Sequence, residues 1–348
     1  MKIAVYSIAL NEEQFVQKWY ESAKEADYLL IADTGSTDGT IELAKSLGIN
    51  VVNISISPWR FDDARNASLS CIPGDIDYCI ALDLDEVLVE GWRAHLEAVP
   101  TQTTRPRYKY TWSWNADGSP GLQYSGDKIH SRHGYRWKHP VHEVMVTDRI
   151  TQLEHWTDLE IHHHPDNSKP RSQYLPLLAQ SVIEDPNDDR NAFYYARELY
   201  FYNQHDKAME EFKRHLSLPT ATWKPERAAS MRYLAKMSDK NWERTWLLQA
   251  VEEAPGRREA LVDLAKHCYE SELWTACLDY AEQALAIKEK PLEYLCEEFA
   301  WGSAPYDYAA IAAYRLGNKE KALEYGEKAA ELSPTDLRLQ GNLIFYRL

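Results

Sequence analysis

Residues 79–88 read Cys-Ile-Ala-Leu-Asp-Leu-Asp-Glu-Val-Leu, four apolar residues running into Asp83, Leu84, Asp85 and Glu86. Three carboxylates this close repel one another and are costly to desolvate unless a cation sits among them. Oxygen-only donors suit a hard divalent ion, Mg²⁺ or Mn²⁺, and such an ion commonly bridges a protein to a diphosphate. The alternative is an acidic strand end that caps the next helix. A second cluster is Asp33-Thr34-Gly35-Ser36-Thr37-Asp38-Gly39-Thr40. Gly35 and Gly39 permit positive φ, and Ser36, Thr37 and Asp38 suit turns and helix caps. Asp33, as an acceptor, can take the imide N–H of a uracil or a ribose hydroxyl, although an ordinary strand-to-helix turn has the same composition. No Lys follows Gly39, so this is not a Walker loop. Arg65, in Phe61-Asp62-Asp63-Ala64-Arg65-Asn66-Ala67, can neutralise a diphosphate, bond a base carbonyl, or pair with Asp62 or another nearby carboxylate.

The surrounding pattern puts these groups together. Apolar runs at 2–10, 28–32, 51–56 and 78–82 read as strands, and 12–26, 41–47 and 62–69 read as helices. Strand and helix in alternation predict a parallel α/β sheet. Right-handed crossovers bring the strand C-terminal ends to one edge, and ligands of open sheets bind outside those ends. Asn11, Asp33, Trp59 and the 83–86 carboxylates all fall there.

In order and spacing, these pieces resemble the nucleotide-binding half of a GT-A, family-2 glycosyltransferase. The matching residues are Asn11-Glu12-Glu13 after the first strand, the 33–40 loop, Arg65-Asn66 and Asp83-Leu84-Asp85-Glu86. The resemblance implies an inverting transferase that uses a nucleotide-sugar, most often a UDP-sugar, with Mn²⁺ or Mg²⁺. It places Asn11, Asp33, Arg65 and Asp83 at the nucleotide, with Asp33 on the uracil and Asp83 toward the ribose or a metal-bound water. It makes Asp85 a metal ligand.

Downstream, Tyr108, Tyr110, Trp112 and Trp114 alternate with polar residues, which puts the four aromatics on one strand face, as core or as a sugar platform. Arg136-Trp137-Lys138-His139-Pro140-Val141-His142-Glu143 resembles the Trp…His-Glu segment of family-2 enzymes with a helical-repeat tail. A base must accept the acceptor's proton; Glu143 is the first candidate and His142 the second, against a structural His-Glu pair. In Ile161-His162-His163-His164-Pro165, alternation sets His163 opposite His162 and His164. The related enzymes complete their metal site with a His here, and His163 aligns with it. Pro165-Asp166 stands where the family has a Gly-aromatic pair. No HExxH helix supports a zinc hydrolase.

A chain of 348 residues suggests two domains. A formal net charge of -15 speaks against general polyanion binding and so against a nucleic-acid acceptor. Five cysteines without a CxxC fit a reduced compartment with buried thiols. With no apolar run near the roughly 20 residues of a membrane span and no signal-peptide pattern at the N-terminus, a cytoplasmic protein is expected. From Lys169-Pro170-Arg171 onward the period is helical. Residues 192–216 read as two helices with a turn at 203–205, and 307–332 repeat the plan. Pro186, Pro219, Pro255 and Pro291 recur near the roughly 34 residues of a tetratricopeptide unit. This half resembles such repeats, least well at 226–250, where Trp242 and Trp246 replace small residues.

The expected architecture is therefore a Rossmann-like α/β GT-A domain at 1–168 and an all-α tetratricopeptide-like domain at 169–348. Repeats of this kind present peptides, dimerise or brace a domain, so a protein or peptide acceptor is weighed beside a glycan one, and a homo-oligomer is open. The rivals are an inactive repeat scaffold, which the intact Asp33, Arg65, Asp83 and Asp85 oppose, and a nucleotidyltransferase, which lacks its basic glycine-rich loop here.

Overall fold

The computed structural model describes residues 1–115, 117–166 and 174–347. They form two compact units, Met1–Ser181 and Val182–Leu348. The expected division between residues 168 and 169 lies outside the described residues.

The first unit opens as the alternation predicts: β1 (Ile3–Ala9), α1 (Glu13–Ala23), β2 (Tyr28–Asp33), α2 (Thr40–Ser46), β3 (Asn50–Asn53), α3 (Phe61–Ser70) and β4 (Tyr78–Ala81). It continues through β5 (Glu86–Leu88), α4 (Trp92–Glu97), β6 (Arg105–Thr111), β7 (Gln123–Gly126), β8 (Ile129–Ser131), β9 (Arg136–Lys138), β10 (Val144–Val146), β11 (Glu154–His163) and α5 (Tyr174–Glu184). The main sheet has the order β3-β2-β1-β4-β8. Its first four strands are parallel, and β8 runs antiparallel to β4. A second sheet, β5-β11-β6-β7, and a β9-β10 ribbon stand beside it.

The parallel strands read as near-continuous apolar runs because both sheet faces are buried. Ile3, Val5, Ile31 and Ile80 pack with Trp19 of α1 on one side, while Ala4, Tyr6, Leu30 and Cys79 pack with Leu69 and Trp137 on the other. Trp19 is fully buried, and its indole N–H donates to Leu82 O at 3.0 Å, so the helix is tied to the strand end that precedes the carboxylates. Deleting a ring so placed costs about 3–5 kcal/mol. The expectation of buried thiols holds for Cys79, Cys268, Cys277 and Cys296; Cys71 is exposed at the end of α3.

The second unit consists of helices: α6 (Asp189–Phe201), α7 (His205–Ser217), α8 (Lys224–Lys236), α9 (Lys240–Glu253), α10 (Arg258–Glu270), α11 (Trp274–Ala286), the short α12 (Glu298–Trp301), α13 (Ala304–Arg315), α14 (Lys319–Leu332) and α15 (Leu337–Arg347). The pairs α6–α7, α8–α9, α10–α11 and α13–α14 pack together, each across a short turn. The first helices of successive pairs begin at Asp189, Lys224, Arg258 and Ala304. The first two steps match a repeat of roughly 34 residues, and α12 fills the longer last step. Alanines at 208, 228, 250, 281, 313 and 329 are buried, allowing close helix approach. Gly326 of α14 serves the same end, because a Cβ there would lie 2.7 Å from the Tyr346 ring. No helix among the described residues is long and apolar enough to cross a membrane.

A buried polar chain runs beside the core on the Tyr6 face of the main sheet. The Trp137 indole N–H donates to Tyr6 Oη at 2.9 Å, and Tyr6 Oη lies 3.1 Å from His130 Nε2. His130 Nδ1 lies 2.8 Å from Ser131 O. With its proton on Nδ1, the neutral imidazole satisfies both ends of the chain. Burial pulls the His130 pKa from 6.5 down to about 4. The unfolded chain thus takes up the proton first as pH falls, so stability is full above about pH 6.5 and declines toward pH 4. The expected loss is on the order of 3 kcal/mol. Chemical denaturation at pH 7.5 and pH 5 should show about 2 kcal/mol of that loss in the first unit, and His130→Gln should flatten it. Equal pH dependence in both proteins would show that His130 does not carry the effect.

Candidate active site

The C-terminal ends of β1, β2 and β4 share one edge, as parallel registry requires. Asp33 is the last residue of β2 and is 2% exposed. Its Oδ2 accepts from the N–H groups of Gly35 (2.9 Å) and Ser36 (3.0 Å). Gly35 makes the turn possible, with φ at +120°. Asp33 Oδ1 is buried and has no hydrogen-bond partner in the protein. The loop is clamped from β1's end: Asn11, at φ 55°, accepts from Thr37 N–H through Oδ1 at 2.7 Å and donates its own N–H to Ser36 Oγ at 2.9 Å. Glu13 accepts from Gly39 N–H at 3.0 Å. Asn11 thus spends its side-chain oxygen on loop shape.

Arg65 lies on α3 and is 6% exposed. Its Nη2 sits 2.8 Å from Asp83 Oδ1, and its Nε donates to Glu143. Asp62 is taken by Arg60 at 2.9 Å, so Arg65's ion pairs are with the distant carboxylates. Arg65 Nη1 is buried without a partner. Lys128 completes the cluster, with Nζ 2.7 Å from Asp83 and 2.8 Å from Glu86. Burial favours the neutral form of Asp83, but Arg65 and Lys128 outweigh it and hold this carboxyl well below the usual range. Burial likewise favours neutral Glu86, and there the repulsion from Asp83 and Asp85 helps to leave its pKa raised despite Lys128. Glu86 Oε2 also accepts from Asp83 N–H at 2.9 Å, and Tyr110 Oη donates to Oε1. Asp83 and Glu86 are therefore answered by protein cations. Lys128 was not among the residues singled out in the sequence; it stands 42 residues beyond Glu86, outside any local motif.

Asp85 is placed differently. Strand β11 pairs antiparallel with β5, setting His163 opposite Glu86. His163 Nε2 lies 3.3 Å from Asp85 Oδ2. His163 Nδ1 lies 3.0 Å from Trp112 O, and donation to that carbonyl orients the ring with Nε2 facing Asp85. Burial lowers the His163 pKa, yet the hydrogen bond and charge of Asp85 and the contact with Trp112 O carry it above its ordinary value. The His163 side chain is buried and the flanking His162 and His164 are partly exposed, as the alternation predicts.

The aromatic stripe divides. Tyr108 and Tyr110 are core, whereas Trp112 is 36% exposed and stacks on His163 at 4.3 Å. Trp114 stacks on His164 at 5.7 Å, and its indole N–H donates to His163 O at 2.9 Å. His142, at φ 50°, meets Tyr174 edge-on at 5.7 Å.

The residues fit a divalent cation on two counts. Among the described residues, Asp83, Asp85, Glu86 and Glu143 outnumber the permanently charged cations paired with them, Arg65 and Lys128. Asp85 and His163 also supply an oxygen and a nitrogen side by side, a mixed set compatible with Mn²⁺.

Residues 5–98 match the model of the family described as "Glycosyl transferase family 2". An uncharacterized glycosyltransferase of Rickettsia prowazekii is 28% identical over 110 residues, which cover 31% of this chain and 36% of that protein. Another from Rickettsia bellii is 29% identical over 108 residues, covering 31% and 35%. The alignments thus span about a third of each of these relatives. Among solved structures, PilF of Pseudomonas aeruginosa matches with TM-score 0.39 and 14% identity, over 48% of this chain and 70% of that one. Yeast Tom70 matches with TM-score 0.38 and 16% identity, over 52% and 37%. Residues 5–98 of the first unit thus resemble a family-2 glycosyl transferase domain.

The charge cluster makes a stability prediction. Arg65→Met removes the cation shared by Asp83 and Glu143 and should destabilise the first unit by about 3–5 kcal/mol. Urea denaturation followed by Trp fluorescence measures this. An unchanged midpoint would show that both carboxylates reach water without Arg65.

Proposed function

We propose that the first unit transfers a sugar, with inversion, from a nucleotide-sugar to the nucleophilic atom of an acceptor, and that the donor is a UDP-sugar. The observation that carries this reading is that one compact unit, with a family-2 match over residues 5–98, holds two unpartnered buried atoms, Asp33 Oδ1 and Arg65 Nη1, and the Asp85–His163 pair. Asp33 Oδ1 is an acceptor suited to an imide N–H, and Arg65 Nη1 is a donor suited to a nucleotide oxygen. Asp85 and His163 would hold Mn²⁺ or Mg²⁺, whose positive charge stabilises the departing diphosphate. Trp112 offers an exposed aromatic face beside that pair for a sugar ring. Asp83, pinned by Arg65 and Lys128, keeps the guanidinium in place and stays ionised.

Calorimetry tests the donor assignment. UDP with Mn²⁺ should bind, and Asp33→Ala should weaken that binding. Each lost hydrogen bond to a buried group costs about 1–3 kcal/mol, or roughly 5- to 150-fold in affinity. Tighter binding of GDP than of UDP would overturn the uracil assignment.

Glu143 is the proposed base, although it also holds Arg65. These two roles separate in kinetics. As a base alone, Glu143→Gln should slow transfer by about 10²–10⁴-fold with donor affinity unchanged. As a prop for Arg65, it should lose UDP affinity in parallel. Transfer at the wild-type rate would remove Glu143 from the chemistry and turn attention to His142.

A further inference from the structure

The second unit contains a group of donor atoms that the glycosyl transferase domain does not explain. Asp189 is the first residue of α6, His215 lies in the last turn of α7, and Glu226 lies in the first turn of α8. Their ligand atoms all lie within 4.8 Å of one another. His215 is fully buried and Glu226 is 3% exposed, while Asp189 is partly exposed. His215 Nε2 is buried with no hydrogen-bond partner. It stands 3.5 Å from Glu226 Oε1, too long for a good hydrogen bond. It is close to the separation of about 3.3 Å between two atoms that share a tetrahedral ion with bonds near 2.0–2.1 Å. The other imidazole nitrogen, Nδ1, lies 2.9 Å from Ser230 Oγ. With Ser230 accepting from Nδ1–H, the lone pair of Nε2 faces the two carboxylates. Glu226 is oriented as well: Tyr294 Oη donates to its Oε2 at 2.5 Å, leaving Oε1 for the shared space.

We propose that Asp189, His215 and Glu226 bind one divalent transition-metal ion of the Zn²⁺ class, which ties together the ends of three consecutive helices. The chemistry selects the ion. One imidazole nitrogen and two carboxylate oxygens form a borderline set that prefers Zn²⁺ to Mg²⁺ or Ca²⁺. Two carboxylates and a neutral imidazole carry two negative charges, which such an ion balances. Ser230 and Tyr294 supply the outer hydrogen bonds that orient ligating side chains in metal sites. The partly exposed Asp189 leaves an entry path. Arg190 is the neighbouring cation, and its guanidinium lies over the Tyr194 ring at 4.7 Å.

The test uses the full chain in a background that silences the other candidate site, Asp85→Ala. After treatment with a chelator, this protein should take up one equivalent of Zn²⁺ by native mass spectrometry and by calorimetry, with a rise in melting temperature. Asp189→Asn alters a partly exposed oxygen and leaves the helices intact; it should weaken Zn²⁺ binding by more than about 100-fold, beyond the 10–100-fold typical of an outer-sphere change. Ser230→Ala should weaken it by about 10–100-fold without removing a ligand. Circular dichroism of the metal-free variants confirms that they fold. No uptake by the Asp85→Ala protein would overturn the proposal and leave these residues as a buried ion-pair group. Undiminished uptake after Asp189→Asn would also overturn it, by placing the ion elsewhere.

Discussion

Arg65 is the charge on which the first unit's functional edge is built. A guanidinium this deep has lost most of its water, and only carboxylates in direct contact offset that loss. Asp83 comes from the end of the main sheet and Glu143 from the approach to β10, so the two must meet at one point on α3. Neighbouring contacts enforce the meeting. Asn66 accepts Trp137 N–H at 2.8 Å and donates to Trp137 O at 2.9 Å, and Arg65 lies over the Trp137 ring at 5.1 Å. The helix therefore reads two strands at once. Lys128, arriving just before β8, closes the other side of Asp83. Between them these cations leave Asp85 as the carboxylate of the 83–86 motif that faces His163.

The position of His163 follows from apolar burial further down the same strand. Thr157, Leu159, Ile161 and His163 alternate inward along β11, and Leu159 and Ile161 are fully buried. A slip of one residue would expose both and turn His162 or His164 toward Asp85 instead. Two buried aliphatic side chains, at about 1.5–3 kcal/mol each, thus choose which of three adjacent histidines meets the carboxylate. Pairing with β5 sets the depth, and the bond from His164 N–H to Asp85 O at 2.7 Å locks it.

Period and punctuation made most of the fold legible. The alternation of β-branched runs with helical spacing gave the parallel sheet, and the edge shared by Asp33 and Asp83 came with it. The proline spacing gave the helical pairs, while α12, which lengthens the step from α10 to α13, was not marked by it. The residues that escaped are those fixed by tertiary closure. Lys128 belongs to no local pattern, since its place is set by the pairing of β8 with β4. The stripe from Tyr108 to Trp114 reads as one face, but β6 ends at Thr111. The first two rings therefore enter the core while the last two leave the strand and gather around His163 and His164. Asn11 matched a family position, yet its left-handed backbone and its bond to Thr37 show a task in shaping the 33–40 loop that composition does not reveal.

The second unit shows how its carboxylates are usually answered. Arg232 lies between Asp263 and Glu297, and Arg257 stands 3.3 Å from Glu259. Where a histidine meets a carboxylate there, as His267 meets Glu243, a hydrogen bond of 3.0 Å joins them. The Asp189–His215–Glu226 group departs from both patterns. An imidazole faces its two carboxylates, and its inward nitrogen makes no hydrogen bond although the neighbouring oxygen is 3.5 Å away. A histidine placed only to neutralise Glu226 would gain by closing that gap, as His267 does. One held back by Ser230 on its far nitrogen keeps the separation that two ligands of a common ion require.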